Sequence, residues 1–453
     1  MADRGAARRV RGPAPKASRG RSEAGRVAAS GGRKGASVVR MPRPGEGGDP
    51  RSVPARLDGT AYTLMAAVLL MCLYGMVMIF SASSGAALEK YGSSYYFLLR
   101  QALWFAAGLA AMAVLARMDY RRVVRLSPLL LALSLAGLAA VLLFGETVYG
   151  SRRSLSIGPL VIQPSELTKL SLLLFAVHHY GRRRERPETW KEITVPVLAI
   201  TAVACLLVIL EPDLGSMLIV ALSALVILYL AEAPWGKLVT LAGGGLGLTL
   251  LFIAVSSYRR ERFLAFLDPW SAPRGSGFHV IQSMLALGSG RLTGLGLGMS
   301  RQKFFYLPNA HTDFLFSIIG EELGLVGTLT VLALLSLFLY LGLKIARRAT
   351  DRTGRMLAAG MVCVLGAQAV VNMGAATGVL PITGVTLPFF SYGGSSLVIC
   401  LCMTGILLSV SRGGGRRAAG RNRRGNREDS HLRGRDGRTP ASVAGPGRRA
   451  RIA

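Results

Sequence analysis

The sequence predicts an all-α polytopic membrane protein of about ten transmembrane helices, with both termini cytoplasmic and a long extracellular loop between helices seven and eight. Three observations carry this reading. The chain is 51% hydrophobic yet bears a formal charge of +30, so apolar and charged residues must occupy different segments. The charge collects at the ends, with 14 Lys and Arg against 4 Asp and Glu in residues 1–57, and 13 against 3 in residues 411–453. Between them, apolar runs recur at about the 20-residue length that a helix needs to cross a hydrocarbon core, where no solvent pairs an open backbone group.

The first element is a basic tail over 1–57, rich in Gly, Pro, Ala and Ser and nearly free of aromatic residues, which cannot bury a core and is read as disordered and cytoplasmic. It opens with positive charge but no apolar segment behind it, so no cleavable signal is predicted. Ten apolar runs follow, near 61–81, 98–116, 127–144, 165–180, 194–211, 216–232, 238–257, 325–343, 357–376 and 395–411, and together they define a membrane domain over 58–411. A second disordered basic tail covers 412–453. Flanking an apolar body, the tails suit anionic membrane lipid rather than nucleic acid.

Orientation follows from the short loops. Segments 117–125, 182–191 and 344–355 together with Lys237 carry 15 Lys and Arg, whereas loops 82–97, 145–164, 212–215 and 377–394 carry only Lys90, Arg152 and Arg153. The first set is cytoplasmic by the positive-inside rule. The loop over 258–324 falls outside, yet holds Arg259, Arg260, Arg262, Arg274, Arg291, Arg301 and Lys303. Long loops follow the rule weakly, and seven exported cations ask for an anionic partner. The five cysteines all lie in apolar runs and read as small buried hydrophobes, with no metal site and no disulfide framework.

Several long motifs then appear in order: "QPSELTKL" (163–170), "EPDLGS" (211–216), "YRRERFLAFLDPW" (258–270), "GSGFHVIQSMLALGSG" (275–290), "GLGLGMSRQKFFYLPNAHTDFLFSIIGEELG" (294–324) and "GVLPITGVTLPFFSYGGSS" (378–396). Together they resemble the SEDS family of FtsW, RodA and SpoVE over residues 61–411, closer in "GMSRQKFFYLP" to the FtsW and SpoVE branches than to RodA. The resemblance implies an inverting glycosyltransferase of the bacterial cytoplasmic membrane that polymerises lipid II on the outer face. It also implies a single-span class B penicillin-binding transpeptidase as partner and a place in the division or spore-septum machinery. A lipid II flippase, a RodA-like elongation polymerase and a recruiting scaffold are the rival readings.

Such chemistry needs a carboxylate to take a hydroxyl proton and cations to receive a departing pyrophosphate. Asp313 heads the apolar "FLFSII", where partial desolvation would raise its proton affinity, and the resemblance makes it the catalytic base; a helix N-cap is the plain alternative. Arg153, Arg259, Arg262 and Lys303 are candidate pyrophosphate contacts or else solvated loop charges, and Gln282 is carried as a substrate contact within its motif. Glu166 and Lys169, three residues apart on one helical face, read as a cavity pair contacting substrate or tuning Asp313, or as a simple ion pair. Glu321 and Glu322 suit buried pairing as well as substrate contact, beside a small-residue ridge of Gly320, Gly324 and Gly327 open to another helix. The glycines of 288–298 read as tight turns, and Ser395 and Ser396 as caps of the tenth span.

The chain departs from the family pattern at Tyr149 and Ser154 around Arg153, at Glu211 and His279 where Gln is usual, and at Phe305 and Asn309 where acidic residues are frequent. No cofactor is required by the pattern, and no Asp and Glu spacing matches a dedicated cage, but Mg²⁺ or Mn²⁺ could accompany the pyrophosphate.

Overall fold

The computed structural model describes residues 58–145, 147–148, 151–157, 160–183, 186–303, 307 and 310–433. The tail 1–57, residues 434–453, and Tyr149, Phe305 and Asn309, on which the sequence reading also touches, lie outside them. The helices in chain order are α1 (Gly59–Tyr91), α2 (Tyr96–Arg117), α3 (Tyr120–Arg125), α4 (Ser127–Phe144), α5 (Pro164–Tyr180), α6 (Trp190–Ile193) and α7 (Ala199–Leu210). They continue with α8 (Leu214–Leu230), α9 (Trp235–Val255), α10 (Ser257–Leu267), α11 (Phe278–Ser289), α12 (Leu315–Arg348), α13 (Arg352–Ala376) and α14 (Gly394–Arg433).

Among the described residues seven helices are long and apolar enough to cross a membrane: α1, α2, α4, α9, α12, α13 and the Gly394–Gly413 part of α14. Three further predicted spans form shorter helices, α5 and α8 at 17 residues each and α7 at 12. The π-helical turn Thr194–Leu198 precedes α7 and shortens it. α14 continues as helix to Arg433, past the predicted boundary at 411. That extension is rich in Arg and Gly with no apolar stripe, so periodicity does not signal it.

The bundle is organised around α5 and α13. α4, α8 and α13 pack on α5, α12 packs on both α1 and α13, and α2 lies along α14. α9 stands at the edge and touches chiefly α8 and α10. Cys72 and Cys400 are buried, and all five cysteines carry free thiols. The all-α reading misses two small antiparallel hairpins in the predicted loop 145–164, β1 (Thr147–Val148) with β2 (Ser151–Arg152), and β3 (Leu155–Ile157) with β4 (Leu160–Ile162). Strands of two or three residues are too short to show alternation in sequence.

Several loops read as cytoplasmic meet at one end of the bundle. There Arg352 donates to the carbonyls of Arg183 and Ala231, Thr353 to that of Gly181, and Tyr120 and Arg121 both reach Asp351. Arg348 pairs with Asp58 at 2.8 Å at the same end. Arg352, Thr353, Asp351, Arg348, Tyr120, Arg121 and Arg183 belong to segments read as cytoplasmic, while Gly181, Ala231 and Asp58 lie at the edges of predicted spans. The opposite end gathers the hairpins, the turn 211–213, α10, α11 and residues 377–393.

The predicted loop 258–324 is about half helical. It contains α10 and α11, and α12 begins at Leu315, ten residues before the predicted span. Gly324 breaks α12 at φ 64° and ψ −155°, a conformation reserved for glycine. The backbone of 291–296 enters the break: Leu295 and Gly296 donate to the carbonyls of Glu321 and Glu322, and Leu325 and Val326 to those of Arg291 and Leu292. The small-residue ridge therefore receives a loop at Gly324 rather than a helix, while Gly294, Gly296 and Gly298 take the left-handed turns expected of them.

Candidate active site

Asp313 lies in the segment leading into α12 and is clamped through its backbone. Its carbonyl accepts from Asn372 Nδ2 at 2.8 Å, and the same amide donates to the carbonyl of Val385 at 2.7 Å. Two residues earlier, the carbonyl of His311 accepts from the Tyr392 N–H at 3.0 Å, and its ring packs 4.5 Å from that of Phe97. Burial holds His311 neutral by pushing its pKa down to about 4. The N-cap alternative fails: α12 is capped at Phe314, without a side-chain hydrogen bond. The Asp313 side chain is left for other work.

Burial pushes the Asp313 carboxyl up to about 6, with Asp213 acting in the same sense and Arg153 and Arg262 pulling it back. Arg153 is the near cation. Gly384, at φ 71°, separates the two, and a methyl placed on it would lie 3.1 Å from Arg153 Nη1 and 3.7 Å from Asp313 Oδ2. Glycine thus lets guanidinium and carboxylate face each other across bare backbone. Arg153 Nη2 also donates to the Pro212 carbonyl at 2.9 Å, which ties the hairpin segment to the turn between α7 and α8.

Three of the predicted pyrophosphate contacts, Arg153, Arg259 and Arg262, line one cavity together with Pro212, Phe263 and Thr383. Arg259 lies 4.1 Å from the centroid of the Phe252 ring, which fixes its direction from α10. α8, α9, α10, the hairpin segment and residues 381–383 all contribute to the wall. Far-separated stretches thus meet in one basic recess beside the half-buried Asp313, with the buried carboxylates of Asp213 and Glu211 nearby.

Lys303 is placed elsewhere. Its ammonium is buried against Glu322 Oε1 at 3.1 Å and the Gly298 carbonyl at 2.6 Å, so it holds a loop instead of lining the cavity. Ser81 donates to both Glu322 oxygens, at 2.6 and 2.8 Å, while Glu321 receives Ser300 Oγ and the Arg301 N–H. The pairing alternative for Glu321 and Glu322 is the one realised. A buried ammonium and carboxylate find each other because neither tolerates isolation. Gln282 is half-buried in α11, and among the described residues no hydrogen bond joins it to the Asp313 cluster.

Glu166 and Lys169 form a buried pair at 2.7 Å, and Lys169 Nζ also donates to Gln368 Oε1 at 3.0 Å. Gln368 Nε2 in turn holds the Thr386 carbonyl at 3.0 Å. The pair therefore stays closed and reaches the site only indirectly, by fixing the 381–391 segment that carries Gly384 and Val385. Ser395 does not cap α14 but accepts from the Gln163 N–H at 3.1 Å, securing the hairpin edge.

Sequence reasoning singles out neither Asp213 nor Asn372. Asp213 caps α8 by accepting from Ser216 N–H at 3.0 Å and Ser216 Oγ at 2.7 Å, and receives Gln163 Nε2 at 3.4 Å. The "EPDLGS" motif holds that signal; Asn372, inside an apolar helix, has none beyond being polar there. Among the described residues no group of three or more His, Cys, Asp and Glu side chains stands where it could hold a metal ion.

Residues 62–414 match the model of the FtsW/RodA/SpoVE cell cycle protein family. The chain is 38% identical over 351 residues to stage V sporulation protein E of Bacillus subtilis, covering 77% of this chain and 96% of that protein. It is 39% identical over 350 residues to a probable peptidoglycan glycosyltransferase FtsW of Geobacter metallireducens, covering 77% and 93%. Among solved structures, a chain of a peptidoglycan synthase complex that coordinates polymerization and crosslinking superposes with TM-score 0.65 at 33% identity, covering 79% of this chain and 98% of that one. The rod shape determining protein RodA of Thermus thermophilus superposes with TM-score 0.59 at 31% identity, covering 79% and 97%. With its motifs in order, its fold shared and its matched region spanning the whole bundle, the chain belongs to the FtsW/RodA/SpoVE family.

Proposed function

We propose that the protein is a peptidoglycan glycosyltransferase that polymerises lipid II into glycan strands at the outer face of the bacterial cytoplasmic membrane. One observation carries the reading: a carboxylate with a proton affinity raised toward neutrality faces Arg153 across Gly384, and Arg153 shares a cavity with Arg259 and Arg262. The Asp313 carboxylate takes the proton of the acceptor sugar hydroxyl as its oxygen attacks the anomeric carbon of the donor, on the face opposite the leaving group. The bond from that carbon to the lipid pyrophosphate breaks, the electron pair leaves with the pyrophosphate, and the arginines receive the charge. The proton on Asp313 then returns to water.

The same reading sets the cavity end of the bundle outside, the basic loops and both tails in the cytoplasm, and the tails against anionic lipid. The work is septal, with a class B penicillin-binding transpeptidase as partner, in keeping with the relatives' names and with the synthase complex. A divalent cation such as Mg²⁺ or Mn²⁺ does not fit the site's own side chains, since among the described residues no group of three His, Cys, Asp or Glu could hold it.

The test is purified protein with a cognate transpeptidase and lipid II, as wild type and as Asp313→Ala. Glycan strands from the wild type alone are expected. Strands from neither, with lipid II translocation in liposomes, would make the protein a flippase.

A further inference from the structure

Glu211 follows α7 as its C-cap and stands next to the turn that holds Arg153. It is wholly buried, and neither of its carboxyl oxygens meets a hydrogen-bond donor among the described residues. Arg153 Nε is likewise buried without an acceptor. A bare carboxylate in such a place is disfavoured, whereas a neutral carboxylic acid is tolerated. Burial and the neighbouring Asp213 push Glu211 up to about 8, and Arg153 pulls it back.

The charged groups around it are assigned. Asp213, heading α8, is hydrogen-bonded to Ser216 and Gln163; Arg153 comes from the hairpin segment; Arg259 and Arg262 of α10 line the cavity; and Asp313 lies beyond Gly384. Glu211 alone in this group of carboxylates is both fully buried and without a donor. Ionised, it would turn to Arg153, the cation that already favours its charged form. That is the guanidinium an incoming anion needs.

We propose that Glu211 is a positioning residue for pyrophosphate binding: as a neutral acid it leaves Arg153 to the leaving group, and on ionisation it draws that guanidinium to itself. The inference rests on the reading of the cavity as the pyrophosphate site. Its sign is definite. Ionisation adds negative charge beside the anion and removes a cation from it, so affinity falls as pH rises through the range where Glu211 loses its proton.

The experiment uses the full chain in lipid nanodiscs and farnesyl pyrophosphate as probe, with binding measured at pH 7.5 and pH 9. Each protein is compared with its own value at the lower pH. The wild-type Kd is expected to rise about tenfold, the lower end of what one neighbouring charge does to another. Glu211→Gln, nearly isosteric, and Glu211→Met, apolar and of similar length, are both expected to give a flat profile. Arg153→Gln is expected to bind weakly at both pH values. A rise that persists in the two Glu211 variants, or is absent from the wild type, overturns the role of Glu211 and leaves the cavity reading intact. Wild-type binding that Arg153→Gln does not weaken, or no binding at all, overturns both.

Discussion

Replacing Arg153 by glutamine should move the acid limb of the polymerisation rate to higher pH. Asp313 must be ionised to accept a proton, so the wild-type rate is expected to fall about tenfold per pH unit below pH 6, where burial has placed its carboxyl. Arg153 opposes that burial. Its Nη1 and the Asp313 Oδ2 stand 3.1 and 3.7 Å from one methyl position on Gly384, and its charge lowers the carboxyl's proton affinity; a neighbouring opposite charge shifts a carboxyl by about one to three pH units. Arg153 is only partly buried, so solvent screens the pair and the lower figure applies. The midpoint of the limb is therefore expected to rise by about one pH unit in Arg153→Gln. The assay is initial rate of glycan strand formation from saturating lipid II between pH 5 and pH 8, with the maximum of each protein as its own reference. An acid limb that stays at the wild-type position, or moves down, would refute the claim that Arg153 sets the protonation of Asp313.

Asp313→Asn, which keeps the shape and the backbone clamp, is expected to lose about 10²–10⁴-fold in rate with no acid limb remaining, read in the same strand assay. Gly384→Ala forces a side chain onto φ 71° and against Arg153, so kcat/KM should drop about 10²-fold while the melting profile in detergent changes little. Lys303→Met leaves Glu322 buried without its cation and is expected to destabilise the protein by about 3–5 kcal/mol, seen as a lowered Tm, with Lys303→Met/Glu322→Leu recovering part of the loss. Wild-type activity on Lys303→Met at temperatures where it remains folded would agree with a purely structural lysine; a lost pyrophosphate contact would instead raise KM.

The sequence by itself determines the class of this protein, because the bilayer imposes one length and one polarity on anything that crosses it. Apolar runs, basic loops and basic tails record those constraints residue by residue, and the ordered motifs fix the family. Asp313 stands out as a carboxylate ahead of "FLFSII", but the residues alone leave it as base or N-cap, and it is the family resemblance that reads it as the base. Which cations come near it is settled by packing between distant segments. Arg153, Arg259 and Lys303 look alike in the chain, yet Lys303 is buried against Glu322, while the two arginines line one cavity from segments that precede and follow α8 in sequence. Likewise Glu166 and Lys169 close on each other and on Gln368, and Glu211 lies buried near Arg153 with no donor among the described residues. Periodicity speaks of one helix and its solvent, but a charge is assigned its work by what the fold brings against it from distant segments.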